Sequence, residues 1–323
     1  MIRKFASYTQ IYLAIKLRKT NLYYFPVQVT IEPTNTCNFK CCFCNQSAPH
    51  HFSKRQAGRI DIHDYEIILD KIKNSCLDLR VLSLTLDGEP TLHKDFPKMI
   101  KKANEKGFFV RFSSNGSEID RAFLERTKNL SYLISVDFSI DKDGFEKCRG
   151  NNGSWSLVKK NLQEAVNFLS VNKNLYLEIY ENSAYYSGLN KTLSNLRLLK
   201  KYFGKFSRLT YDIRNYHKIL DDRPHDSSNN SYYGCFYPWT SLNVTWNGDV
   251  VTCCRDLDGN YNLGNILQSS IGEVWNGQKY LHLRDAILKQ ELQSIPSCRT
   301  CDLPYDSQRN RWDYAIRKIF RKW

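Results

Sequence analysis

What this 323-residue sequence lacks narrows the reading first. It has no long hydrophobic run: Ile11-Tyr12-Leu13-Ala14-Ile15 is an apolar stretch far shorter than the roughly 20 residues a membrane-crossing helix requires. The N-terminus lacks the zones of a secretory signal. There is no low-complexity tract and no internal repeat of the roughly 20 to 50 residues that mark solenoids and propellers. The eleven cysteines are not the disulfide framework of a small secreted domain, because such frameworks belong to much shorter chains. These absences imply a cytoplasmic protein with reduced thiols.

Acidic residues are also scarce: 33 Asp and Glu face 47 Lys and Arg, a net charge of +14. That excess favours anionic partners. The basic residues are spread along the chain, with local concentrations at both ends and no recognisable nucleic-acid module, so no nucleic acid is expected as partner. Hydrophobic residues make up 41%, enough for a core, and the length suits one large α/β domain with an appendage.

The most informative stretch is Ile31 to Cys44, IEPTNTCNFKCCFC. Cys37, Cys41 and Cys44 are spaced Cys-x3-Cys-x2-Cys, with Phe43 before the last. One short loop can therefore aim three thiolates at a common centre. Closed structural sites use four protein ligands. Three ligands would leave the fourth iron of a cubane open to a small molecule. A zinc knuckle, or four structural cysteines with Cys42 included, is the alternative reading.

Around this loop the chain alternates strand and helix. Residues 27–31 alternate apolar and polar and predict a strand that delivers the loop. Further strands are expected at 80–86, 108–113, 132–140, 175–180 and 207–213. Helices are expected at 62–75, 97–106, 118–128, 155–169 and 190–203, and residues 1–24 read as a basic, partly helical lead-in. Six strands alternating with helices imply parallel βαβ units that close or partly close into a barrel. Functional groups then belong at the C-terminal ends of the strands. Polar, glycine-rich segments recur at those ends: Asp87-Gly88-Glu89-Pro90, Ser113-Ser114-Asn115-Gly116 and Ser139-Ile140-Asp141.

On these residues the chain resembles the radical S-adenosylmethionine (radical SAM) enzymes. The resemblance implies a partial (β/α)6 TIM-like barrel over residues 27–220, preceded by a lead-in at 1–26. It also implies a [4Fe-4S] cluster on Cys37, Cys41 and Cys44 whose open iron chelates the methionine moiety of S-adenosyl-L-methionine. Reductive cleavage would then yield a 5′-deoxyadenosyl radical that abstracts hydrogen from a substrate. Gly88, Glu89 and Pro90 resemble the family's segment for the methionine amine, with Asp87 in place of its first glycine. Phe43, Ser114, Asn115 and Ser139 resemble further cofactor contacts, and Arg149 a carboxylate clamp.

A second group, Cys235, Cys253, Cys298 and Cys301, follows the barrel. Asn247-Gly248 between alternating apolar runs predicts a hairpin that returns Cys235 toward Cys253. Twelve residues separate Cys235 from Gly248 and four separate Gly248 from Cys253. This pattern, with Leu263-Gly264-Asn265-Ile266, Val274-Trp275-Asn276-Gly277 and Cys298-Arg299-Thr300-Cys301, resembles the SPASM auxiliary-cluster domain, over residues 221–305. No cysteine follows Cys301, which resembles the shortened, single-cluster twitch form. The implied complement is two [4Fe-4S] clusters, one auxiliary. Zinc suits four cysteines too, and Cys254 competes with Cys253 as ligand, although the glycine spacing favours Cys253. Cys76 and Cys148 read as buried or idle thiols.

An auxiliary cluster held by four protein ligands serves best in electron transfer. The expected reaction is therefore oxidation of a small polar substrate, an amino-sugar, cyclitol or related alcohol; peptide or protein maturation is the alternative. A non-enzymatic metal- or nucleic-acid-binding protein is the reading of another class. Asp212, Glu178 and His217 are candidates to take the substrate proton, and Arg214 to anchor it. An electron donor such as flavodoxin or ferredoxin is the expected partner. In the tail, residues 306–323, Trp312, Ile316, Ile319, Phe320 and Trp323 share a helical face amid basic residues. Such a helix suits contact with an anionic membrane surface, or docking on the protein itself.

Overall fold

The computed structural model describes residues 2–47, 55–150, 152–182, 189–213 and 231–305. The lead-in is a helix, α1 (Ile2–Lys16). Six strands follow: β1 (Gln28–Ile31), β2 (Val81–Leu84), β3 (Phe109–Ser114), β4 (Tyr132–Asp137), β5 (Leu175–Glu181) and β6 (Leu209–Ile213). Between them lie α2 (Ile62–Ser75), α3 (Phe96–Glu105), α4 (Arg121–Arg126), α5 (Lys142–Arg149), α6 (Trp155–Phe168) and α7 (Leu189–Phe203). All six strands are parallel, each beside its neighbour in sequence.

The helices start where short polar side chains hold their first amides. Asp61 accepts from the His63 amide, Asp120 from Phe123, Asp141 from Gly144 and Ser154 from Leu157. The core lies between these helices and the outer face of the sheet. Along β3 the buried Val110 and Phe112 alternate with Arg111 and Ser113, which keep some exposure. Phe112 meets Phe96 edge-on at 4.9 Å, so α3 is fixed by an aromatic contact beneath the sheet.

The sheet does not close. Its order is β6-β5-β4-β3-β2-β1-β7-β8-β9, so β1 is flanked on its far side by β7 (Ser241–Val244). That pairing is parallel, with Val29 opposite Leu242 and Ile31 opposite Val244. Strand β8 (Asp249–Val251) returns antiparallel through the expected Asn247-Gly248 turn, where Gly248 has φ +84. A two-residue β9 (Gly264–Asn265) ends the sheet. The C-terminal helices α8 (Tyr237–Thr240), α9 (Ile271–Trp275) and α10 (Gln278–Lys289) pack near it. The barrel sheet and the C-terminal hairpin thus form one continuous sheet.

Cys148 is buried as expected, but it is neither idle nor a reduced thiol: at the end of α5 it is disulfide-bonded to Cys42 of the cysteine loop, so the expectation of reduced thiols throughout does not hold for this pair. Arg214, His217 and the tail, residues 306–323, lie outside the described residues. Among the described residues, no helix is long and apolar enough to cross a membrane.

Candidate functional site

The cysteine loop leaves the C-terminal end of β1 and is strapped to α5. The Cys42 amide donates to the Cys148 carbonyl at 2.8 Å and the Lys40 amide to the Arg149 carbonyl at 3.2 Å. Those bonds and the disulfide draw Cys42 to the α5 side of the loop. The remaining thiols, Cys37, Cys41 and Cys44, are electrostatic neighbours. Burial, with the Glu89 charge next, pushes the Cys37 thiol up to about 12; burial likewise pushes Cys44 up to about 12. Donors already reach the sulfurs. The Phe39 amide stands 3.4 Å from Cys37 Sγ, Asn115 Nδ2 3.7 Å from the same atom, and Arg149 Nη1 3.3 Å from Cys41 Sγ.

Beside this loop lies the turn after β2. Gly88 has φ +66, and a Cβ there would stand 2.5 Å from the Thr34 carbonyl oxygen. Only glycine lets the turn approach the loop so closely, and the Glu89 amide then donates to the Thr36 carbonyl at 2.8 Å. Glu89 caps the short 3-10 turn Pro90–Leu92 and is 2% exposed. Its Oε1 accepts from Ser114 Oγ at 2.8 Å and from the Thr91 amide at 3.2 Å, and its Oε2 from the Asn115 amide at 2.6 Å. Burial raises its pKa against these donors. Glu89, Ser114 and Asn115 are therefore brought together as one network, and Asn115 Nδ2 extends it to Asn38 Oδ1 at 2.7 Å.

Asp87 Oδ1 accepts from Gln46 Nε2 at 2.9 Å and from the Gly88 amide at 3.0 Å. Burial pushes its pKa up to about 6. Pro90 is buried at the start of the 3-10 turn, and Phe43 is buried beneath the Arg149 guanidinium, 5.4 Å from its ring centroid. Arg149 also donates to the Asp137 carbonyl, so it bridges the loop and the end of β4. Ser139 stands apart from the Glu89 network: it is fully buried, and its hydroxyl accepts from the Asp141 amide at 3.2 Å.

Deeper along the strands, Glu178 of β5 is buried and its Oε2 accepts from Ser135 Oγ at 2.8 Å and from the Tyr180 hydroxyl at 3.2 Å. Asp212 is exposed near the end of β6, opposite Tyr180. The two carboxylates share with Tyr180 the lining of a cavity of about 220 Å³.

The second cysteine group also assembles in space. Cys235, Cys298 and Cys301 are electrostatic neighbours of Cys253, and burial raises the Cys235, Cys253 and Cys298 thiols, the last to about 12. Cys254 is exposed and Cys253 only partly so, and Cys254 is also an electrostatic neighbour of both Cys235 and Cys253. The Arg255 amide donates to Cys253 Sγ at 3.4 Å and Arg255 Nη1 to Cys301 Sγ at 3.2 Å. Among the described residues, no three or more His, Cys, Asp or Glu side chains are drawn close enough to hold a single metal ion.

Sequence reasoning missed several residues that build the site: Asn38, Gln46 and Thr91, which orient Asn115, Asp87 and Glu89, and Arg255. Thr91 was within reach, because a hydroxyl two residues after an acidic residue at a turn is a local capping signal. The others act across long sequence separations and leave no local signal.

Residues 31–182 match the family model of the radical SAM superfamily. The chain is a radical SAM enzyme. Residues 235–302 match the model of SPASM, an iron-sulfur cluster-binding domain, so it belongs to the branch with an auxiliary cluster domain. Such a chain takes S-adenosylmethionine and two [4Fe-4S] clusters. It is 21% identical over 289 residues to the S-adenosyl-L-methionine-dependent 2-deoxy-scyllo-inosamine dehydrogenase of Niallia circulans, spanning 89% of this chain and 97% of that one. It is 28% identical over 144 residues to the mycofactocin maturase MftC of Mycobacterium tuberculosis, 43% of this chain and 34% of that one. Similar solved structures include BtrN in complex with AdoMet and 2-DOIA, with TM-score 0.54, 16% identity and coverage of 85% of this chain and 92% of that one. Streptococcus suis SuiB bound to precursor peptide SuiA aligns with TM-score 0.59 and 19% identity over 89% of this chain and 73% of that one. At these identities the structural likeness is one of fold.

The residues present fit these cofactors. Desolvation raises the Cys37 and Cys44 thiols in the first group and the Cys235, Cys253 and Cys298 thiols in the second, a cost that a cationic cluster core would offset, and sulfurs of both groups already receive N–H donors. A buried guanidinium nitrogen, Arg255 Nη2, has no acceptor beside the second group.

Proposed function

We propose that this enzyme oxidises a secondary alcohol of a small polar substrate, such as an amino-sugar or cyclitol, to a ketone. The observation that carries this reading is the four-cysteine auxiliary site in a chain that aligns, at 21% identity, with 97% of the inosamine dehydrogenase. When bound, the first cluster with S-adenosylmethionine would supply a 5′-deoxyadenosyl radical, and the auxiliary cluster would supply a one-electron acceptor. The carbinol carbon gives up a hydrogen atom, which becomes part of 5′-deoxyadenosine. The substrate radical then loses its hydroxyl proton and one electron, and the C–O bond becomes C=O.

Cys37, Cys41 and Cys44 would hold the first cluster, and Cys235, Cys253, Cys298 and Cys301 the second. Glu89 orients its neighbours for the methionine amine, with Gly88 and Pro90 shaping the turn. Ser114 and Asn115 extend that surface, and Arg149 steadies the loop from the Cys41 side. Ser139 helps hold the β4 end that faces it. Glu178, with Ser135 and Tyr180 on its carboxylate, is the better-placed proton acceptor; Asp212 is the second.

A flavodoxin- or ferredoxin-like donor would supply the reducing electron. We also propose that the basic, apolar-faced tail associates with anionic membrane surfaces; vesicle sedimentation unaltered by truncation after Gln308 would contradict this. The experiment for the main reading is anaerobic incubation with dithionite, S-adenosylmethionine and either 2-deoxy-scyllo-inosamine with other amino-sugars or a peptide library. Loss of two hydrogens from an amino-sugar alcohol supports it. The same mass loss confined to peptides would replace it with peptide maturation.

A further inference from the structure

We propose that Arg255 sets the reduction potential of the auxiliary cluster, making it a stronger electron acceptor. This rests on the reading of Cys235, Cys253, Cys298 and Cys301 as the ligands of that cluster. Arg255 follows β8 and reaches across to the closing Cys298–Cys301 segment. Its Nη1 donates to Cys301 Sγ at 3.2 Å and also pairs with the Asp302 carboxylate, which fixes the guanidinium plane. Its backbone amide donates to Cys253 Sγ at 3.4 Å. One residue thus touches two of the four thiols, which lie 48 positions apart in the sequence. Its Nη2 is buried with no hydrogen-bond partner, whereas a buried donor ordinarily has one. The sulfides of a bound cluster are acceptors of the kind that nitrogen lacks.

The electrostatic consequence has a definite sign. A cluster with four thiolate ligands is more negative by one charge when reduced. A fixed cation and N–H donors at its sulfurs stabilise the reduced form more than the oxidised form, so they raise the potential. Asp302 offsets part of the charge but holds the donor in place. An electron leaving an oxidised substrate radical would then meet an acceptor poised to take it. Arg255 is a positioning and tuning residue in this scheme and handles no proton.

The test is potentiometric, on the full chain reconstituted with iron and sulfide, with Cys37, Cys41 and Cys44 replaced by alanine so that only the auxiliary cluster is read by EPR. Arg255→Gln should lower the midpoint by at least the equivalent of a tenfold change in the reduced-to-oxidised ratio, about 59 mV for one electron. Arg255→Lys, which keeps the charge without the rigid fork, should fall between. If Arg255→Gln takes up no iron, the lysine variant alone carries the comparison. Equal midpoints in parent and variant would overturn the proposal, as would loss of the cluster from both variants, which would make Arg255 an assembly residue. Zinc in place of iron in the parent would instead sink the auxiliary-cluster reading itself.

Discussion

A Cβ added to Gly88 would stand 2.5 Å from the carbonyl oxygen of Thr34, nearer than any real Cβ contact. The turn after β2 and the cysteine loop therefore meet backbone to backbone. Gly88→Ala combines this clash with a φ of +66, which alone costs a non-glycine residue about 1–2 kcal/mol. The variant should lose S-adenosylmethionine binding by calorimetry and melt several degrees lower. Gly107→Ala is the control: its φ is also positive, at +85, but the nearest atom is Lys73 Nζ at 3.6 Å. It should melt somewhat lower and bind normally.

Asp87 gives a pH dependence with a definite sign. Burial raises its pKa from 3.8 to about 6, so the folded chain holds this proton more tightly than the unfolded chain does. Its contribution to stability is fullest below the unfolded value and is lost as pH rises through about 6. Asp87→Asn keeps the oxygen that receives Gln46 and Gly88 and removes the titration. In apo protein it should gain on wild type by about 2–3 kcal/mol between pH 4 and pH 7, by urea denaturation. An identical pH profile in both proteins would count against the buried acid.

The Cys42–Cys148 pair closes a loop of 106 residues between the cysteine loop and α5. A cross-link of that span stabilises by up to about 4–5 kcal/mol in the chain-entropy model. A reductant should lower the melting temperature of the oxidised apo protein, and Cys148→Ser should abolish that difference. Iron content should be unchanged in Cys148→Ser and fall in Cys41→Ala. Iron loss in Cys148→Ser would instead implicate this pair in holding the cluster.

Much of the barrel is legible because its signals are local. The strand at 27–31 and the helix at 62–75 appear within a residue of expectation, since period-2 and period-3.6 patterns need only neighbours. Helix α5 has no such clarity: KDGFEKCR carries a glycine and five charges, and its buried face is Phe145, Cys148 and Arg149. The pairing of β1 with β7 joins Val29 to Leu242, and no periodicity reports a contact across that separation. The same holds for Cys42 with Cys148 and Arg255 with Cys301. The cysteine spacings are readable because they lie within short stretches of the chain; the residues that donate to their sulfurs from elsewhere, such as Asn115 and Arg149, are not.

Glu178→Gln tests the proton acceptor. The amide keeps the contacts with Ser135 and Tyr180 in shape but cannot take up a proton as a carboxylate does. Ketone formation should fall by roughly 10²- to 10⁴-fold, the usual contribution of a general base, while uncoupled formation of 5′-deoxyadenosine persists. If Asp212→Asn shows that loss and Glu178→Gln does not, the exposed carboxylate holds the role.

The most direct measurement is iron and sulfide content, with dithionite-dependent 5′-deoxyadenosine formation, in anaerobically reconstituted wild type and in the Cys37, Cys41 and Cys44 triple alanine variant. About eight irons per chain are expected, falling to about four in the variant with complete loss of 5′-deoxyadenosine. Zinc in place of iron, with no cleavage of S-adenosylmethionine even after reconstitution, would contradict the two-cluster catalytic reading.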